Sequence, residues 1–161
     1  MVPLQTVDVD LVGWFNLLLV LLAPGAVAAV LWSPFLLAAR LRALFRELPP
    51  TGHLLPTYAV VAVGAGLPYV LGTFWAVVAT SGGTGGEMAN GLLDVVIPLS
   101  LGYAVGVPLL GAAGLPRFGV DWDPTGYGIS TWVLLLAGGT WYALLFAVPL
   151  FVIAVVLAFP A

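Results

Sequence analysis

Residues 129–159 read ISTWVLLLAGGTWYALLFAVPLFVIAVVLAF, and no charged side chain interrupts them. An α-helix needs about 20 apolar residues to cross a hydrocarbon core of ~30 Å, so this stretch is long enough to span a membrane. It lacks the apolar–polar alternation that marks the strands of an outer-membrane barrel. Because a spanning backbone in lipid must satisfy its own polar groups, we predict a membrane-spanning helix here.

Three earlier stretches have the same character. We predict spans at about residues 11–32, 56–80, 91–115 and 129–159, which form one all-α, polytopic integral membrane domain. The composition agrees, since 62% of the 161 residues are hydrophobic and only 7% are charged, against about a quarter charged in a soluble domain. The absence of Cys and the scarcity of basic residues exclude a disulfide-stapled secreted module and a nucleic-acid binder.

The basic residues all fall on one side of the predicted bundle. They are Arg40, Arg42 and Arg46 between spans one and two, and Arg117 between spans three and four. Basic loops stay in the cytoplasm, so we predict a multi-pass protein of the cell membrane with both termini extracytoplasmic. The flank before the first span holds Asp8 and Asp10 and no basic residue, unlike a signal peptide, so we expect this span to be retained.

Leu36–Leu48, LLAARLRALFREL, is the one amphipathic segment. We predict an interfacial helix between spans one and two, ended by Pro49-Pro50. Its three Arg residues are expected to contact anionic lipid headgroups: Arg40, Arg42 and Arg46. The alternative is that they serve only to fix the topology.

Glycines and prolines indicate how the helices pack. Gly102 and Gly106 form a GxxxG pair in the third span, a predicted helix-packing face that could meet a helix of the same chain or of another. Pro68 and Pro108 lie inside spans and free the carbonyls of Gly64 and Ala104, four residues earlier.

Aromatic residues divide into two groups by predicted depth. Those near the span ends fit an interfacial belt: Trp14, Trp32, Tyr58, Trp75 and Trp132. Tyr69, Tyr103 and Tyr142, with Trp141 beside them, lie near the span midpoints, where a hydroxyl needs a partner. The carbonyls freed by proline are candidate acceptors. The residues predict either a midplane polar-aromatic pocket for a hydrophobic substrate, such as a quinone or isoprenoid lipid, or ordinary interhelical hydrogen bonds.

Asp94 is the one acidic residue inside a predicted span. An ionisable group in a membrane helix is often functional, so Asp94 is a candidate ion or proton site with Asn16 as its partner. The alternative is a charge at the interface that favours the positive end of the helix dipole.

The third loop contains Asp121-Trp122-Asp123-Pro124-Thr125-Gly126, which matches the opening of a calcium loop. That loop requires a bidentate acid at its twelfth position, where this chain has Trp132. The same residues resemble the DxDxT motif of haloacid-dehalogenase-like phosphatases, which follows a strand of a soluble α/β fold that this chain has no room for. Asp121 and Asp123 are therefore weak metal candidates, and an acidic turn is the alternative.

Three functions remain open. The first is a non-enzymatic structural or accessory membrane subunit that works through helix–helix contacts. The alternatives are a small oligomeric transporter or channel with the midplane site, and a membrane-embedded lipid-modifying enzyme. We predict no cofactor; the predicted partners are membrane lipids and other membrane subunits or a second copy. The acidic excess and the use of Arg for every positive charge resemble proteins of extreme halophilic archaea, a likeness of composition that implies no functional residues.

Overall fold

Helices account for every regular element of the computed structural model, which describes the backbone of residues 4–49 and 52–159 and the side chains from residue 12 onward. The elements are α1 (Leu4–Trp32), a 3-10 helix (Ser33–Leu37), α2 (Ala39–Glu47), α3 (Leu54–Gly64), α4 (Leu67–Ala79), α5 (Gly85–Pro108), a π-helix (Leu109–Gly114), α6 (Leu115–Arg117) and α7 (Ile129–Ala158). Four helical stretches are long and apolar enough to cross a membrane. The prediction of an all-α fold with four such helices is confirmed. The side chains of Asp8 and Asp10 lie outside the described part of the chain.

The second span is broken into α3 and α4. Pro68 lies in the first turn of α4 and has no N–H to donate to the Gly64 carbonyl. The Gly66 N–H bonds to Val63 O at 3.0 Å, three residues back, which tightens the chain between the two helices. The helix is therefore interrupted at Ala65 and Gly66, whereas α1, α5 and α7 continue through Pro24, Pro98 and Pro149.

α1 crosses the second span at the same level, and two glycines permit the close approach. A Cβ on Gly25 would lie 2.5 Å from Val63 O, and one on Gly66 would lie 2.9 Å from the Gly25 Cα. Any side chain at either position would push the two segments apart.

The third spanning helix, α5, begins at Gly85, six residues before the predicted start of its span. Thr84 and Glu87 form a reciprocal capping box: Thr84 Oγ1 accepts from the Glu87 N–H at 3.3 Å, and Glu87 Oε2 accepts from the Thr84 N–H at 3.1 Å. Such a pair satisfies two backbone donors at the start of a helix. The glycine-rich segment 81–86 is thus partly helical.

α5 and α7 form the most extensive helix pair of the bundle. Gly139 lets them approach, since a Cβ there would lie 2.6 Å from the Tyr103 carbonyl oxygen. Gly102 and Gly106, by contrast, have no atom within 4 Å of the Cβ position. The GxxxG pair therefore plays no part in packing the described residues of this chain.

The amphipathic segment forms α2, which is shorter than predicted because Leu36 and Leu37 belong to the 3-10 helix Ser33–Leu37. Its apolar residues Leu41, Leu44 and Phe45 are buried. The Phe45 ring centroid lies 5.8 Å from that of Trp32 and 5.3 Å from that of Tyr58. The apolar face of this helix is part of the bundle core.

Candidate functional site

Eight aromatic rings form one connected group in the bundle, which we call the ring cluster. Phe35 contacts Trp32 with centroids 6.4 Å apart, and the other seven rings form a continuous path. In order of contact they are Phe45, Tyr58, Trp32, Tyr142, Tyr103, Tyr69 and Phe146. The tightest pair is Tyr69 and Phe146, stacked with centroids 4.7 Å apart and planes 8° from parallel. The sequence correctly places Tyr69, Tyr103 and Tyr142 in one group, although their role as a substrate pocket stays a prediction.

The tyrosine hydroxyls bond to the backbone around the break in the second span. Tyr142 donates to Ala62 O at 2.5 Å, and Tyr103 donates to Ala65 O. In an uninterrupted helix Ala62 O would accept from the N–H of Gly66, which here bonds to Val63 instead. The sequence named the carbonyls of Gly64 and Ala104 as candidate acceptors, because it considered only the donors that the two prolines lack.

Tyr69 completes the set through a different acceptor. Its hydroxyl lies 3.1 Å from Ser100 Oγ, and Ser100 donates to Val96 O at 2.7 Å, so Tyr69 donates to Ser100. Tyr69 is fully buried. All three mid-span hydroxyls thus have protein acceptors, and a cavity of about 360 Å³ beside Tyr103 and Tyr142 is lined by apolar surface.

Three other aromatic residues, which the sequence grouped by depth, differ in the helix face that they occupy. Trp32 and Tyr58, predicted for an interfacial belt, are buried in the ring cluster. Trp32 donates to Gly138 O at 3.0 Å, and Tyr58 donates to Ala29 O at 2.5 Å. Trp141, predicted beside the tyrosines, is 47% exposed and donates to Leu31 O at 3.3 Å. Depth along a helix does not reveal the face on which a residue lies.

A buried carboxylate joins the two arginine-bearing loops. The Asp123 side chain has no exposed surface, and its Oδ1 lies 3.9 Å from Arg40 Nε. Oδ1 also accepts from the Thr125 N–H at 3.0 Å and from the Thr125 hydroxyl at 2.7 Å, while Oδ2 accepts from the Thr131 hydroxyl at 2.5 Å. Arg40 Nη1 donates to Ser130 Oγ at 2.6 Å and to Thr131 Oγ1 at 3.1 Å. We call these five residues the Asp123 cluster.

The surroundings of Asp123 favour its charged form. Burial raises the pKa of this carboxyl, but the hydrogen bonds from Thr131 and Thr125, together with the Arg40 charge, outweigh burial and leave the pKa below its ordinary value. Asp121 is separate: it is exposed and accepts from the Tyr127 hydroxyl at 2.8 Å. The described residues contain no group of three or more His, Cys, Asp or Glu side chains that could hold a metal ion. The metal role of Asp121 and Asp123 stays a prediction.

The three arginines of the amphipathic segment have different environments. Arg40 belongs to the Asp123 cluster, whereas Arg42 Nη1 donates to the carbonyls of Leu36 and Leu37, each at 2.9 Å. Arg46 is exposed. Contact with anionic headgroups stays a prediction for all three, and Arg46 is the one most open to it.

Trp122 attaches the same loop to the π-helix that follows α5. It is 2% exposed, and its Nε1 donates to Gly111 O at 2.8 Å inside the π-helix. Its ring meets that of Tyr127 edge-on at 5.6 Å. Sequence reasoning missed this contact; the available signal was a large apolar residue between two aspartates in an otherwise polar loop.

One face of α5 points away from the bundle. Its exposed residues recur at helical spacing: Asp94, Pro98, Leu101, Gly102 and Val105. Gly106 is half-exposed on the same side. We call these six residues the α5 outer face. It contains both the GxxxG pair and the acidic residue singled out by the sequence.

Asp94 lies well inside its helix. Nine residues, or about 13.5 Å, separate it from Gly85. The helix dipole therefore does not stabilise Asp94, since its effect fades within the first turn. The position of Asp94 at the membrane interface stays a prediction. Asp94 and Asn16 are both exposed, and no hydrogen bond joins them in the part of the chain that the structure describes. Their role as an ion or proton site stays a prediction.

The fold and these sites define a small all-helical protein with four helices of spanning length and internally paired polar groups: no buried side-chain nitrogen or oxygen in the described ranges lacks a hydrogen-bond partner. Residues 12–161 match the family model described as Domain of unknown function (DUF8162), and the chain belongs to that family. No curated protein and no solved structure matches the chain.

Proposed function

We propose that this protein is a non-enzymatic membrane subunit that associates with another membrane-spanning helix through the α5 outer face. The observation that carries the proposal is that Gly102 and Gly106 have open space where a side chain would be. In lipid, helices associate where small residues let their backbones approach closely. The tight approaches described within the chain use other glycines, among them Gly25, Gly66 and Gly139, so the GxxxG pair is free for a second chain.

Asp94 supports the same face as the contact. It lies eight residues, about two turns, from Gly102 on the same side of the helix. A carboxylate exposed on a spanning helix is costly in hydrocarbon and favours a polar partner. A partner helix that packs on the two glycines would bring its own donors within reach of Asp94. The partner is a second copy of this chain or another membrane subunit.

The orientation proposed for this subunit follows the arginines. With Arg40, Arg42, Arg46 and Arg117 at the cytoplasmic end, both termini are extracytoplasmic in the cell membrane. Arg46, exposed on α2, then lies at the level of anionic headgroups. The Asp123 cluster lies at the same end and joins α2 to α7.

The proposed association is tested by filling the open space beside Gly102 and Gly106. In Gly102→Leu/Gly106→Leu, the added side chains project from the α5 outer face and keep a partner helix at a distance. We expect wild-type protein extracted in mild detergent to be recovered as an oligomer or with another membrane subunit, and the double variant to be recovered as a monomer. Size-exclusion chromatography with light scattering, followed by identification of co-purifying chains, measures this.

The matched control is Gly13→Leu, which also meets no atom within 4 Å but lies on α1. Gly13→Leu should leave the association intact, and neither change should lower the thermal unfolding midpoint. A double variant that associates as well as wild type contradicts the proposal. Ion or solute flux through reconstituted protein that is lost in Asp94→Asn would favour the transporter instead.

The proposed orientation is tested by cysteine labelling, because the chain contains no Cys of its own. Ser81→Cys is preferred to a change at Thr84, which caps α5. A membrane-impermeant maleimide added to intact cells should label Ser81→Cys and leave Arg46→Cys unlabelled until the cells are opened. Labelling of Arg46→Cys from outside would show that the orientation is the opposite of the one proposed.

A further inference from the structure

A long groove lies between α1, α4 and α7, on a different side of the bundle from the α5 outer face. Its volume is about 730 Å³, within the ~300–1,000 Å³ typical of small-molecule sites. On α1 the lining runs from Leu17 to Leu31, a rise of about 21 Å. Tyr69 and Phe146, the stacked pair of the ring cluster, form part of its lining.

The groove is centred on the middle of the spans. The middle of the Leu54–Ala79 stretch lies at Gly66, which closely approaches Gly25, next to Pro24 in the groove wall. The lining on α1 therefore extends about 10 Å to either side of that midpoint. Given the membrane insertion in the proposed function, the groove crosses the bilayer midplane and occupies part of both leaflets.

The side chains of the groove suit a flexible hydrocarbon chain better than a packed helix. The α1 wall is built from large aliphatic residues, among them Leu17, Val20, Leu21 and Val27. Helix–helix contacts in membranes use small residues instead, as on the α5 outer face. None of the described residues that line the groove is a glycine.

Thr73 gives the groove a polar group. Two other hydroxyls in the spanning helices or at their ends donate to their own helix: Thr80 bonds to Ala76 O at 2.8 Å and Ser100 to Val96 O at 2.7 Å. The half-buried Thr73 hydroxyl makes no hydrogen bond within the described part of the chain and lines the groove. It lies about 10 Å from the midpoint of the Leu54–Ala79 stretch, toward Ala79, which places it level with the Leu17 end of the groove.

We propose that this groove binds an isoprenoid quinone, with a ring carbonyl accepting a hydrogen bond from Thr73 and the tail lying along α1. The ring is apolar enough for the groove, and its carbonyl supplies the acceptor that Thr73 lacks. A phospholipid chain reaches only from its headgroup to the midplane, about 15 Å. One phospholipid chain would therefore fill only the half of the groove in its own leaflet, whereas a single isoprenoid tail is long enough to fill both halves.

The test uses full-length protein, immobilised in phosphatidylcholine–detergent micelles and equilibrated with labelled ubiquinone-10. Wild type should retain quinone saturably. Thr73→Val should weaken retention about fivefold, the value of one neutral hydrogen bond, whereas Thr73→Ser should bind as wild type. Leu21→Trp, which fills the groove, should weaken retention at least tenfold, and Leu18→Trp, exposed on α1 outside the groove, should not.

Equal retention by Leu21→Trp and Leu18→Trp overturns the proposal, as does phosphatidylcholine retention that ubiquinone-10 does not displace. Equal retention by the Thr73→Val and Thr73→Ser variants would show that Thr73 does not bond to a ring carbonyl of the quinone. Thermal unfolding of each variant identifies any that fail to fold. Thr73→Val should fold, because the two side chains have nearly the same volume. This site is independent of the α5 outer face, so loss of association in Gly102→Leu/Gly106→Leu leaves quinone retention unchanged. Cysteine labelling tests membrane insertion separately.

Discussion

Asp123→Ala is expected to lower the free energy of unfolding by about 3 kcal/mol. Removing one partner of a buried ion pair costs roughly 3–5 kcal/mol, and the lower end applies because the Arg40 side chain is 31% exposed and keeps some hydration. The change also leaves the Thr131 and Thr125 donors without their acceptor. A chain of this size would lose roughly 6–12 °C in its unfolding midpoint.

Thermal unfolding in detergent, followed by circular dichroism, measures the loss. The matched control is Asp121→Ala, two residues away, where the exposed carboxylate meets only the Tyr127 hydroxyl among the described hydrogen bonds. A change at such a surface position should stay within about 0.5 kcal/mol. Equal midpoints for the two variants would show that the Asp123 cluster does not stabilise the fold.

The contribution of Asp123 also has a defined pH dependence. Its pKa is lower in the folded protein than in the unfolded chain, so its stabilising effect is complete above the unfolded value of about 3.9. The effect is lost as the pH falls through the lower folded value. The stability difference between wild type and Asp123→Asn should therefore be constant near neutrality and shrink below about pH 4.

The sequence was sufficient for the parts of the fold that depend on local composition. Uninterrupted apolar stretches predict four spanning helices, because that signal lies within one segment. Proline alone does not predict a break: Pro68 lies beside one, whereas helices continue through Pro24, Pro98 and Pro149. The grouping of Tyr69, Tyr103 and Tyr142 was also predictable, since residues at one depth in neighbouring helices lie close together. The helix face that each residue occupies was not predictable, which is why Trp141 was wrongly grouped with these tyrosines.

The contacts that join distant segments could not be predicted. Arg40 and Asp123 both belong to loops at the same end of the bundle, yet nothing in either loop specifies the other as its partner. The interpretation of Arg40 as a lipid-facing residue followed from its helix alone. Trp122 is a similar case, because its acceptor is Gly111 O in a π-helix whose existence the residues do not reveal.

The sequence also does not reveal which glycines make close contacts between helices. The GxxxG spacing identified Gly102 and Gly106, which face away from the bundle, whereas Gly139 makes the close contact between α5 and α7. Gly138 and Gly139 are adjacent in sequence, and only the orientation of α7 distinguishes them. A Cβ on Gly138 would lie no closer than 3.6 Å to its neighbours, an ordinary contact with the Phe35 ring.

Gly139→Ala is therefore expected to lower the free energy of unfolding by about 1–3 kcal/mol, the usual cost of overfilling a packed interior. The new methyl group would lie 2.6 Å from the Tyr103 carbonyl oxygen and 3.0 Å from the Val107 Cβ. The oxygen belongs to the backbone of α5 and cannot turn aside, so the two helices must separate. Gly138→Ala is the control, because it carries the same gain of up to about 1 kcal/mol in helix propensity without the collision. Thermal unfolding should show opposite signs for the two neighbours, and a stabilised Gly139→Ala would contradict the close packing of α5 on α7.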